Sequence, residues 1–239
     1  MLTMDQWTHI SNLIHLYDEH TALPIGKKFM KEIDSLPPKL RFKIDENKIV
    51  EVVSIFYQRT EPFIQTNRDL ISLPNDDRSI VLRGAVDNVS CLGAGFIARQ
   101  TGLIANPAFR QGLENTFGTI PYNLTLTAIS LLDHDINLVK LTLALFATCT
   151  SNCTIFDENY SLKYINDYQA ISHIQNLYAD LIWKYLLYNC NFSQAVVRFS
   201  RIVKCITVVI TLRTHLQTVR NHKDVIDSLV EKIEQQQIT

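Results

Sequence analysis

The chain has 239 residues, of which 46% are hydrophobic and 20% charged, with only 7 Gly and 7 Pro; this excludes disorder and low complexity and suits one packed domain, 1–239. Its 23 Lys and Arg stand against 24 Asp and Glu, a formal charge of -1, so no charge excess draws it to nucleic acid or to a membrane surface. Five cysteines, Cys91, Cys149, Cys153, Cys190 and Cys205, lie mostly in apolar runs without paired zinc spacing and are expected to be buried, reduced thiols.

Thr3 to His20 carries Trp7, Ile10, Leu13, Ile14 and Tyr17 at helical spacing, with Thr3 and Gln6 placed as a capping box. The start MLTMDQWTHI has neither a basic end nor an apolar stretch, so no signal peptide is expected and a cytosolic or nuclear setting follows. Pro24, Gly26 and the Pro37-Pro38 pair predict a long, loosely ordered connection over 21–44. A helix from about Asp45 to Thr66 puts Ile49, Val52, Val53, Phe56 and Phe63 on one side, with Pro62 removing a backbone bond or bending it. After a helix start at Pro74-Asn75-Asp76, the stretch through Phe96 is apolar on nearly every side and belongs in the middle of a protein. Gly and Pro punctuate 97–121, where turns, one short helix and at most a small β-hairpin near 97–106 are expected. Helices resume over Leu124–Leu132, Asp135–Cys149, Tyr168–Asn189 and Phe192 to about Val219, and Lys223–Gln237 closes the chain as a polar helix. The longest apolar run, Val203 to Leu212, is too short to span a bilayer.

No catalytic set emerges. None of the seven histidines pairs with another at metal-ligand spacing, so no metal and no cofactor is expected. Asp133-His134-Asp135 sits between two helices, where carboxylates cap free amides. Asp76-Asp77 is too short a run, with Arg78 beside it, for a magnesium-diphosphate motif. The N-x-S/T matches at Asn88, Asn123, Asn152, Asn159 and Asn191 are expected as chance in an Asn-rich chain.

The segment from Pro62 to Phe96, with Phe63, Leu73, Asp77-Arg78 and Val81-Leu82-Arg83-Gly84, resembles the central signature of nuclear-receptor ligand-binding domains. The opening helix is similar to the first helix of the group containing thyroid hormone, farnesoid X, liver X and ecdysone receptors. Cys205-Ile206, Val209 and Leu212-Arg213 match the spaced pattern of that family's dimerisation helix. These anchors are individually degenerate, but they occur in family order across nearly the whole chain. The resemblance implies an all-α fold, a three-layer antiparallel helical sandwich, acting without catalysis as a transcription regulator in the nucleus. It implies a pocket for a lipophilic molecule, sterol-like or fatty-acid-like, lined by Ile49, Val52, Val53, Phe56 and Arg59 and by Ser90, Cys91, Gly93 and Ala94; the same residues could also pack together with no ligand. It further implies a groove for coactivator or corepressor peptides at Gln65, Arg83 and Glu231, and a dimer interface for a retinoid X receptor-like partner at Phe199, Ile202, Ile206, Val209, Ile210 and Leu212.

Two departures bear on function. Gly93 stands where the family presents an arginine that anchors a polar ligand end, a role Arg59 could take over unless Glu61 pairs with it. Gln65 replaces a lysine of the peptide clamp, and only 18 positions separate Arg213 from Glu231, so Ser228-Leu229-Val230-Glu231-Lys232-Ile233 fits the activation helix poorly and could extend the helix before it. A ligand-independent heterodimerisation scaffold is therefore the alternative to a ligand-switched receptor.

Overall fold

The computed structural model describes residues 2–37, 39–41, 44–149 and 165–238, without the side chains of Val230 and of 233–238. Cys153, Asn152 and Asn159 lie outside these residues. The described residues are helical throughout, with no strand. The helices are α1 (Met4–His20), α2 (Leu23–Ser35), α3 (Glu46–Gln65), α4 (Arg68–Ile71), α5 (Asn75–Gln100), α6 (Pro107–Phe117), α7 (Thr119–Leu131), α8 (Ile136–Ala147), α9 (Tyr168–Asn189), α10 (Phe192–Leu216) and α11 (Arg220–Ile238), with a 3-10 turn at Leu103–Ala105.

Local chemistry sets most of these ends. Thr3 accepts from the Gln6 amide and Gln6 returns a bond to the Thr3 amide, completing the expected capping box of α1. Asp45, Asn67, Asn106, Asp135, Asp167 and Asn191 each accept from a first-turn amide of the helix that follows. α3 runs on through Pro62 to Gln65, and the missing Pro62 N–H leaves the Gln58 carbonyl without its helix bond.

The structure corrects two expectations between elements. The segment 21–44 is largely helix, not loose connection, because Pro24 falls in the first turn of α2, where an N–H has no helical partner to lose. Gly26 lets α2 press on α5: a Cβ there would stand 2.7 Å from Thr101 Cγ2. The hairpin near 97–106 does not form; α5 continues to Gln100, and Gly102, at φ +78°, reverses the chain in the left-handed region before the 3-10 turn.

α5 is the axis of the molecule. Eighteen of its 26 residues are buried, and α3, α7, α8, α10 and α11 all pack on it. It is long and apolar enough by composition to cross a membrane, yet 94% of its most apolar window is covered by the other helices. Asp77 in its first turn is fully buried and accepts from the Asn166 and Asp167 amides at 2.7 and 2.9 Å, tying the start of α9 to α5. That bond set gives Asp77 a structural role, while Asp76 beside it is exposed.

Candidate functional site

The first candidate is a small apolar cavity at the crossing of α3, α5, α6, α7 and α10. Val53, Phe56 and Tyr57 of α3, Cys91 and Ala94 of α5, and Leu212 of α10 are in its wall. Its volume is about 50 Å³, against the roughly 300 Å³ at which typical ligand pockets begin. Of the expected pocket residues, Val53, Phe56, Cys91 and Ala94 line it, and the others do not. Ile49 is buried against α6, where a Cβ on Gly112 would meet its Cγ1 at 2.7 Å. Val52 is buried in the core away from the cavity, and Ser90 is buried with a hydroxyl that meets no partner among the described residues.

Gly93 and Arg59 are corrected by the same helix contact. Gly93 faces α3, where an added Cβ would stand 3.1 Å from Thr60 Oγ1, so this position belongs to the α3–α5 packing and not to the cavity. Arg59 lies beyond the edge of the buried arc of α3 and is exposed, so it does not reach the cavity as expected. Glu61, its suggested partner, is buried and instead binds Lys232 of α11 at 3.0 Å and Gln65 at 3.2 Å.

Beneath α11 lies a buried polar network that sequence spacing did not reveal. Arg213 Nε donates to Asp87 Oδ2 at 2.8 Å, and His222 Nε2 contacts Asp87 Oδ1 at 3.0 Å. His222 Nδ1 lies 3.4 Å from the Tyr57 hydroxyl, which is 3.6 Å from Cys91 Sγ. Burial, reinforced by Asp87, pushes the Cys91 thiol up, and burial with Cys91 beside it does the same to Tyr57. Both therefore stay protonated, and the cluster is not an activated-nucleophile arrangement. The α5 members stand at i and i+4, a visible spacing, but His222 is 135 positions from Asp87 and only the fold joins them.

α11 begins after a break at Gln217–Val219 and is a separate helix, not an extension of α10. It packs on α3 and α5 through Ile226, Leu229, His222 and Lys232. Glu231 is exposed, Gln65 is half-buried on Glu61, and Arg83 is half-buried on α5. The ion pair to the end of α3 thus comes from Lys232, with the opposite charge to the one expected of Glu231. The side chains of Val230 and Ile233 lie outside the described ones.

The third candidate is the outer face of α10. Ile202, Val209 and Leu212, expected at a dimer interface, are buried in the chain's own core, because they fall on the row that faces α7. Phe199, Ile206 and Ile210 are half-buried on a second row, and with Phe192, Val196 and Val203 they form a continuous stripe at alternating spacings of four and three. Phe192 is 67% exposed and Val203 51%, while Trp183 of α9 meets Phe192 and Phe199 edge-on at 5.8 Å each. Behind this stripe Asp133 takes both Arg198 bonds at 2.9 Å, and Asp135 caps α8, so the Asp133-His134-Asp135 cluster joins α7, α8 and α10 structurally.

Fold and site together define an all-helical protein assembled around one buried helix, with a polar network under its last helix and an apolar stripe on its surface. No protein-family model matches the sequence, and no curated protein matches it.

Proposed function

We propose that this chain is a nuclear-receptor-type ligand-binding domain, a three-layer antiparallel sandwich that regulates transcription in the nucleus by heterodimerising through α10, without catalysis and without needing a resident ligand. The observation that carries the reading is the surface stripe in which exposed Phe192, Val196 and Val203 are joined by half-buried Phe199, Ile206 and Ile210, a repeat that suits a partner helix. α10 contains Arg198, Arg201, Lys204, Arg213 and His215 and no Asp or Glu, and Arg201 and Lys204 are exposed. A second copy would bring like charges together, so a different helical domain with acidic flanks, of retinoid X receptor type, fits better.

Sedimentation of the domain alone and with a retinoid X receptor-type domain tests this. The expected result is a monomer that forms a one-to-one heterodimer, abolished by Phe192→Glu with Val203→Glu. A monomer that ignores the partner would sink the proposal. Peptide docking at Gln65, Arg83 and Glu231 is the weaker part of the family pattern here, since Lys232 occupies the Glu61 end of α3.

A second reading, a lipophilic ligand of sterol or fatty-acid type, is favoured by the apolar wall of the cavity. It requires the cavity to widen several-fold, and native mass spectrometry that finds a retained lipid-sized mass would favour it over the ligand-independent scaffold.

A further inference from the structure

Cys91 and Tyr57 belong at once to the cavity wall and to the polar network beneath α11. One ligand atom from each of Asp87, Cys91 and His222 lies within 4.8 Å of the others, and all three residues are buried. His222 contacts the Asp87 carboxylate through Nε2 at 3.0 Å, which leaves Nδ1 turned toward the Tyr57 hydroxyl and, past it, the Cys91 sulfur. A carboxylate holding one imidazole nitrogen is the arrangement that orients a metal-bound histidine, and here a thiol lies within 4.8 Å of the ring.

We propose that Cys91 and His222 form a site for one soft monovalent metal ion, Cu(I), with Asp87 orienting the imidazole and the Tyr57 hydroxyl at its flank. Charge selects the ion. Arg213 already neutralises Asp87 in this buried place, with side chains 10% and 8% exposed. Binding exchanges one proton for one cation: the Cys91 S–H bond breaks, a sulfur–copper bond forms, the proton passes to buffer, and copper stays in the +1 state. Net charge is then unchanged. A divalent ion would leave an uncompensated positive charge beside Arg213, at a heavy desolvation cost. Thiolate with imidazole is also a soft donor pair, suited to Cu(I). Metal–sulfur and metal–nitrogen bonds of about 2.3 and 2.0 Å laid end to end reach roughly 4.3 Å, and the ligand atoms of Cys91 and His222 lie no more than 4.8 Å apart. Because Cys91 stands in the cavity wall, the cavity offers an entry path, and the bound ion would clamp α11 onto α5.

The test uses the full chain with Cys149, Cys153, Cys190 and Cys205 changed to Ser, titrated with Cu(I) against a colorimetric Cu(I) chelator. One ion per chain is expected. Cys91→Ala and His222→Gln should each weaken binding by at least about 100-fold, and Asp87→Asn by about tenfold or more. Zn(II) should bind far more weakly than Cu(I). Copper X-ray absorption on the unmutated-Cys91 protein supplies a readout independent of any folding defect in the variants, with one sulfur and one nitrogen neighbour expected. Slower amide exchange across α11 should accompany loading. Equal affinity in Cys91→Ala, a copper shell without sulfur, or preference for Zn(II) would overturn the site.

Discussion

Asp87 accepts from Arg213 on one oxygen and contacts His222 on the other, with all three side chains nearly withdrawn from water. Replacing it by Asn leaves the Arg213 guanidinium buried without its counter-charge. Asp87→Asn is expected to cost about 3–5 kcal/mol in guanidinium unfolding, and Arg213→Met made together with Asp87→Leu should recover most of that loss. Two half-buried carboxylates give a pH signature. Hydrogen bonding from His9 holds the Asp69 carboxyl below its usual range against the opposing effect of burial. At Asp133 burial pushes upward but is outweighed by Arg198 and backbone amides, so its carboxyl also lies low. Since both folded values lie below the unfolded one, their stabilisation is complete above about pH 4 and drains as pH falls through the folded values. Asp69→Asn should therefore be less stable at neutral pH and show a shallower acid-unfolding slope, measured by circular dichroism against pH.

α11 shows what a single element depends on. Its outer face is polar, and it is held by Ile226, Leu229, His222 and the Lys232–Glu61 pair. Lys232 is 55% exposed, so solvent screens its side of the pair even though Glu61 is buried. Lys232→Met is expected to raise amide exchange in α11 about fivefold, about 1 kcal/mol of local opening, while α5 is unchanged. Most helices were legible from periodicity and caps: α1, α3, α5, α8, α9, α10 and α11 fall within a few residues of the pattern reading. α2 was not, because Pro24 and Gly26 read as breakers. Their meaning reverses once Pro24 is in a first turn and Gly26 touches Thr101. The candidate sites were less legible. Four expected pocket residues line the cavity, whereas Arg59, also expected there, is exposed, since a side chain at the edge of an apolar arc can fall on either side.

At the scale of the molecule, one contiguous core runs from Ile10 of α1 to Leu229 of α11. Unfolding is expected to be a single event, with far-UV circular dichroism coincident with the fluorescence of Trp7 and Trp183. Leu92, 1% exposed in the central helix, should cost about 2–5 kcal/mol on truncation to Ala and shift both signals together. The helical class, the buried central helix and the caps at Thr3 and Asp135 follow from the sequence alone, because these rest on side-chain period and on bonds between neighbours. Gly93 is visible in the sequence, but its reason is tertiary: the residue faces Thr60 across the α3–α5 contact. Only the tertiary structure decided the size of the cavity, the meeting of Tyr57, Asp87, Cys91, Arg213 and His222, and the division of α10 between core row and exposed stripe. Each of these depends on how helices distant in sequence rotate and approach one another, and no local spacing encodes that.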